Sequence, residues 1–395
     1  MKPKIRFKGF EGEWKTSAIG DFTTSFSGGT PTAGASEFYG GNIPFIRSGE
    51  IHESKTELFL TDAGLNNSSA KVVEKGTLLY ALYGATSGEV GISKIKGAIN
   101  QAILAIYPNK TVDKRFLANY LQSHKQKIVG ELLQGGQGNL SGALVKSISV
   151  NYPNNREQQA ISDYVDSLDS QISASTSRLA SLKQMKAASL QAMFPQEGET
   201  VPKIRFKGFE GEWKKVKFSE LYERSSIKND LSFGTDKIIS VANMYFIKNS
   251  RQVDDDYLRS YNIMRLGDIA FEGNKSKNFA HGRLVENTIG DGIVSHVFIV
   301  MKPISKNYDL NFWKYYINNE NIMGNILVRS TKSSTMMTDL VVDDFLKESI
   351  LVPSYEEQIE IGKILTSLDR QISLQSRRLE KLKQIKSACL DKMFV

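Results

Sequence analysis

Two stretches of the chain carry apolar residues in alternating steps of four and three. The first aligns Ile161, Val165, Leu168, Ile172, Leu179 and Leu182; the second aligns Ile361, Leu365, Leu368, Ile372, Leu379 and Leu382. This spacing predicts two long helices, each with a coiled-coil seam about four heptads long. The seam position left over is polar in both copies, Ser175 and Gln375, and such a pair fixes register at a cost in stability. Pro153 and Pro353 stand just before the stripes, Glu-Gln falls in each opening turn, and Met-Phe at 193–194 and 393–394 ends each one. Pro195 and Gly198 then break the first helix.

Between these stripes the periodicity changes. Ile43–Ile46, Thr77–Leu82 and Ala102–Tyr107 are short apolar runs bounded by Gly, Asn and Pro, as strands are. Leu117–Leu133 has helical spacing and runs into Gly135-Gly136-Gln137-Gly138. Further along, strands are predicted at Ile238–Val241, Asp268–Phe271 and Val297–Met301, and a helix from Phe312 to Ile326. Both regions read as mixed α/β modules.

The chain also repeats itself. PKIRFKGFEGEWK occurs at residues 3–15 and again, unchanged, at 202–214, an offset of 199. Residues 153–194 have a similar, not identical, counterpart at 353–394, an offset of 200. Identical strings at matched spacing mark a tandem duplication. The order is an arm (1–15), a head (16–152), a helical spacer (153–194), a linker with the second arm (195–214), a second head (215–352) and a second spacer (353–395). The heads show no comparable identity. A shared frame with two different heads suits a reader in two parts, whereas heads that merely drifted would leave the likeness of the arms and helices unexplained. If each head's ends lie close together, as domain termini usually do, the two spacers run antiparallel. About 40 helical residues make a rod of roughly 60 Å, longer than the ~34 Å repeat of DNA. The competing use of the seams is dimerisation with a second copy, but two matched seams on one chain satisfy each other without loss of translational entropy.

Composition narrows the function without fixing it. The 395 residues are 40% hydrophobic and 24% charged, a globular balance too long for one domain. There is no apolar run long enough to span a membrane and no signal-peptide pattern after MKPKIRFKGF. One cysteine, Cys389, excludes a disulfide framework and points to the cytoplasm. Four histidines without ligand spacing argue against zinc. The formal charge of +8 is spread thinly: residues 16–152 hold twelve basic and ten acidic side chains, and residues 215–352 hold eighteen and seventeen. That permits DNA binding without diagnosing it.

Candidate base-reading residues lie in polar, glycine-rich loops. In the first head they are Arg47, Ser48, Thr86, Ser87, Asn100, Gln101, Gln137 and Asn139; in the second, Asn243, Tyr245, Lys275, Lys277, Asn278, His281, Arg283, Lys332, Ser333 and Ser334. Asn and Gln bond adenine bidentately, Arg and Lys bond guanine, and Ser or Thr bonds either. Neighbouring lysines hold phosphates and set register. Asn100 and Gln101 equally suit a structural role at a strand start, and His281 has no nucleophile or carboxylate partner nearby in sequence that would make it a general base.

Two heads of about 140 residues, each followed by a long helix opening with Glu-Gln, resemble the specificity subunits of type I restriction-modification systems. Gly29-Thr30-Pro31, Gly40-Gly41-Asn42-Ile43-Pro44-Phe45-Ile46, Gly76-Thr77, Asn100-Gln101 and Arg156-Glu157-Gln158-Gln159 carry the resemblance locally. It implies two target recognition domains joined by a long intramolecular antiparallel coiled coil, a pseudo-twofold tandem repeat. Each head reads one half of a bipartite site in double-stranded DNA. Two modification subunits and motor-nuclease subunits are the implied partners, carrying S-adenosylmethionine, ATP and Mg, with no cofactor on this chain and no membrane contact. The alternatives are a self-sufficient DNA methyltransferase or nuclease, and a non-specific coiled-coil adaptor. Against the enzyme, no Pro-Pro pair of an amino-methyltransferase segment and no phosphate-cradling Gly-x-x-x-x-Gly-Lys-Ser/Thr loop occur. Glu53-Ser54-Lys55 only faintly matches a nuclease metal site.

Overall fold

A computed structural model describes residues 2–132, 139–248, 254–333 and 337–395. It divides into two units: residues 1–176 with 377–395, and residues 177–376. Each unit contains one head and a segment of both spacer helices.

In the first unit, strand Lys15–Ala18 pairs antiparallel with Ser149–Tyr152, placing Lys15 opposite Tyr152. The entry and exit of the head are therefore side by side. A four-stranded antiparallel sheet follows, in the order Thr23–Ser27, Ile103–Pro108, Leu78–Ala81, Val90–Ile92. A second sheet is ordered Leu58–Leu60, Tyr39–Ile46, Gly97–Ile99, Lys71–Val73, and its central pair is parallel. The expected strands all form, within a residue or so at most ends.

The second unit repeats the plan with different side chains. Lys214–Lys217 pairs with Ser349–Val352, again closing the head. Its main sheet runs Tyr222–Ser225, Ile299–Pro303, Ile269–Glu272, Arg283–Glu286, which is the same connectivity as in the first head. The smaller sheet is reduced to two separate pairs, Ile239–Ser240 with Tyr245–Phe246 and Asn262–Met264 with Gly292–Val294. A parallel bridge, Ile238 to Ile293, stands where the first head has its parallel pair.

Two expected helices are each broken. In place of one helix over Leu117–Leu133 there are Lys114–Ser123 and Lys125–Leu132. Asp113 caps the first by accepting from the amides of Arg115 and Phe116, which starts it before Leu117. His124 leaves helical geometry at φ −97°, ψ 5°, with Ser123 bonding back to the Tyr120 carbonyl. Likewise Phe312–Ile326 is split into Leu310–Tyr316 and Glu320–Ser330, capped by Asp309 and Asn319. Asn319 Oδ1 accepts from the Asn321 amide, one of the second helix's free amides, and makes a fresh start cheaper than continuing.

The spacer helices, Asn155–Ala192 and Tyr355–Lys392, have 38 residues each. Within the first unit they run antiparallel: Ile161 packs with Met393 and Phe394, and Lys386 Nζ lies 2.6 Å from Asp169 Oδ1. Within the second unit, Met193 and Phe194 pack with Ile361 and Leu365, and Lys186 Nζ lies 2.6 Å from Asp369 Oδ1. The seam is thus satisfied inside one chain. Ile161, Val165, Leu168 and Leu182 are buried, as are Ile361, Leu365, Leu368 and Leu382. Ile172, Leu179, Ile372 and Leu379 are only half-buried, whereas Ser175 and Gln375 are 4% and 9% exposed.

The repeated strings lock each head to its helices. Glu157, buried at the start of the first spacer, accepts two hydrogen bonds from Arg6 of the arm. Its neighbour Gln158 accepts from the Asp113 amide, fixing the cap of the following head helix. Arg205, Glu357, Gln358 and Asp309 repeat the arrangement. The Met-Phe ends complete the cores: Phe394 packs on Phe116 and Tyr120, and Phe194 on Phe312 and Tyr316. No helix among the described residues is long and apolar enough to cross a membrane.

Candidate nucleic-acid interface

Hydrogen bonds draw the first head's candidate loops to one rim of its sheets. Strand Tyr39–Ile46 ends in a carbonyl that accepts from Asn100 N at 3.4 Å, so Arg47 follows beside Asn100. Leu82 N donates to Ala102 O, while the Leu82 carbonyl accepts from Leu140 N and from the Ser87 hydroxyl. Arg47-Ser48, Thr86-Ser87, Asn100-Gln101 and Asn139 are in this way held on neighbouring turns. Gln137 lies outside the described residues.

Their availability differs. Asn139 and Gln101 are exposed, although Thr30 donates to Gln101 Oε1 at 2.5 Å. Asn100 Oδ1 accepts from Ala102 N, the turn-bracing role that its position at a strand start suggested. Ser87 is buried, and the Thr86 hydroxyl donates to the Tyr83 carbonyl. The Arg47 guanidinium is held by Glu50 at 3.1 Å and Glu57 at 2.6 Å, which raises its already high pKa. Burial works against ionisation of Glu50, but the hydrogen bonds from the Arg47 side chain and from the Glu57 and Arg47 amides outweigh it. They hold that carboxyl down at about 2.

In the second head three distant segments converge. Arg283 Nη2 donates to Ala242 O at 2.7 Å, bringing Asn243 and Tyr245 to the loop that carries Lys275, Lys277, Asn278 and His281. Thr338 N donates to Gly273 O, and Lys275 Nζ to Ser333 Oγ at 2.8 Å, which seats the hairpin of Lys332 and Ser333 against the same loop. Asn243, Tyr245, Lys275, Lys277, Asn278, Lys332 and Ser333 are exposed. His281 is half-buried and close enough to Glu320 for its charge to counter the rise that burial gives this carboxyl. Ser334 lies outside the described residues. Arg283 itself is engaged by Glu272 at 2.7 Å.

Three residues outside the candidate base readers border the first head's loops. Lys125 Nζ reaches Glu89 Oε1, and His52 Nε2 lies 3.5 Å from Glu89 Oε2. The hydrogen bond from Lys125 is the main reason the Glu89 carboxyl is held below its usual range. The only sequence signals were that His52 follows Arg47 by five positions and that Glu89 closes the Gly84–Gly88 loop.

This doubled arrangement has known counterparts. The family model for the type I restriction modification DNA specificity domain matches twice, over residues 11–184 and 210–384. The chain belongs to that family. Each match takes in one head and most of the spacer that follows it. Among named relatives, the MjaIX specificity subunit of Methanocaldococcus jannaschii is 29% identical over 168 residues, covering 40% of this chain and 38% of that protein. The EcoR124I/EcoR124II specificity subunit of Escherichia coli is 24% identical over 174 residues, covering 42% and 43%. The chain thus spans less than half the length of these two relatives. The MjaVIII specificity subunit of M. jannaschii aligns over 96% of this chain and 91% of its own, at 20% identity. In fold, the crystal structure of a type I restriction-modification S subunit from M. genitalium superposes with a TM-score of 0.61 at 14% identity. That match covers 100% of this chain and 99% of the other.

Proposed function

We propose that this specificity-domain protein is the sequence-reading subunit of a type I restriction-modification complex and performs no chemistry itself. Each head reads one half of a bipartite site in double-stranded DNA, and the spacer helices set the separation of the halves. Outward faces of the same helices dock two modification subunits, which carry S-adenosylmethionine and methylate adenine. Motor-nuclease subunits supply ATP- and Mg-dependent restriction, and the complex works in the cytoplasm.

One observation carries this reading. Two heads share a strand order while the loops at their rims share almost no residues, which is what two different half-sites on one frame require. The test is adenine methylome mapping of the host with and without this chain. Deletion should abolish methylation at one bipartite motif and leave other motifs intact. Methylation of DNA by the purified chain with S-adenosylmethionine alone would assign the chemistry to this chain instead.

A further inference from the structure

An arginine that reads guanine presents one edge of its guanidinium, two N–H groups side by side, to O6 and N7. The obvious arginine for this role in the second head is Arg283, at the mouth of the convergent loops. Its Nε–Nη2 edge is already used. Nε donates to Glu272 Oε2 at 2.7 Å and Nη2 to the Ala242 carbonyl at 2.7 Å. One face lies against the Phe279 ring, with the guanidinium carbon 4.9 Å from the centroid. Glu272 is itself buried, at 7% exposure, so releasing Arg283 would strand a carboxylate away from water.

Each of these contacts ends on a different part of the reading rim. Ala242 opens the segment with Asn243 and Tyr245. Phe279 sits in the loop that carries Lys277 and Asn278. Glu272 ends a strand of the main sheet, whose continuation, Gly273, pairs with Thr338 of the hairpin. Gly282, next to Arg283, has φ +74°, and an added Cβ would meet Glu272 O at 2.6 Å and Phe271 Cζ at 2.7 Å. The backbone next to Arg283 is therefore packed too closely for any residue but glycine at 282.

We infer that Arg283 is a positioning residue: with Glu272 it is the strut that sets the Asn243–Tyr245 and Lys277–Asn278 segments relative to each other, and those exposed side chains do the reading. This rests on the DNA-reading function proposed above.

The test compares Arg283→Gln, Arg283→Lys, Glu272→Gln and the double variant Glu272→Gln/Arg283→Gln in the full-length chain. Two readouts are used: the adenine methylome of hosts carrying each variant, and hydrogen exchange of the purified chain. A strut predicts that Arg283→Gln and Glu272→Gln each lower methylation at every site by about tenfold, the effect of losing a charged hydrogen bond. The recognised bases stay the same at every position, and the double variant is no worse than either single one. Arg283→Lys recovers only part of the loss, because an ammonium cannot span both acceptors. Amides of residues 242–246 exchange about tenfold faster in both single variants, while those of Leu310–Tyr316 do not change. Asn278→Ala, in contrast, alters the base preference at one position. Relaxation of a single guanine position by Arg283→Gln, with Glu272→Gln neutral, would overturn the strut. So would unchanged exchange at 242–246, which is measurable even if a variant methylates nothing. A methylome indifferent to deletion of the whole chain would instead remove the DNA-reading function, and the inference with it.

Discussion

Arg6 and Glu157, 151 residues apart, form a two-pronged ion pair, with Nε–Oε1 and Nη2–Oε2 both at 2.7 Å and the carboxylate fully buried. Arg205 and Glu357 reproduce it in the second unit. Removing one partner strands a buried charge, which costs about 3–5 kcal/mol. Arg6→Ala should therefore destabilise the first unit by that amount in chemical denaturation followed by hydrogen exchange. Replacing both partners with methionine should cost much less.

Phe394 is far in sequence from the first head, yet its ring lies 5.3 Å from Phe116 in that head's core. Phe394→Ala should weaken the first unit by about 3–5 kcal/mol, seen as faster exchange across Lys114–Ser123. Phe194→Ala should do the same to Leu310–Tyr316 of the second unit. Equal effects on both helices from either change would contradict this assignment of cores.

Burial pushes the Asp268 carboxyl up to about 6, against an ordinary value of 3.8. The folded protein then binds more protons than the unfolded chain between those values, so stability falls as pH rises through that window. Asp268→Asn should flatten the slope of second-unit stability between pH 4 and 6. It should also raise stability at pH 7 by about 1–3 kcal/mol. The amide oxygen can still accept from Arg265 N, which bonds Asp268 Oδ2 at 2.7 Å.

Adding seven residues beside Ser175 and seven beside Gln375 keeps the heptad phase of both spacers. Each helix lengthens by about 10 Å, the rise of about three base pairs of DNA. The nonspecific gap between methylated half-sites should grow by about three base pairs while both half-site sequences persist. A single insertion, which breaks the pairing of the two seams, should abolish methylation.

The sequence revealed what periodicity and identity can reveal. The seams from Ile161 to Leu182 and from Ile361 to Leu382, the duplication, and the short strands follow from local patterns. Contacts across long stretches of chain do not. The Glu-Gln pairs look like ordinary helix starts, and nothing local shows that Glu157 awaits Arg6 or that Gln158 holds the Asp113 amide. The shared strand order of the heads was hidden because burial asks only for apolar bulk. Leu79 and Ala270, both fully buried, meet the same requirement with no identity between them. The helix breaks at His124 and Asn319 were masked by apolar spacing that continues past them. Loop position marked Arg47 and Arg283 as base readers, and nothing local showed that Glu50, Glu57 and Glu272 hold them.

The most direct test of two independent readers on one frame is exchange of residues 16–152 for the corresponding head of another member of the family, followed by methylome sequencing. The account predicts that one half-site changes to the donor's sequence while the other half-site and the gap stay as they were. A change in both halves, or in neither, would contradict it.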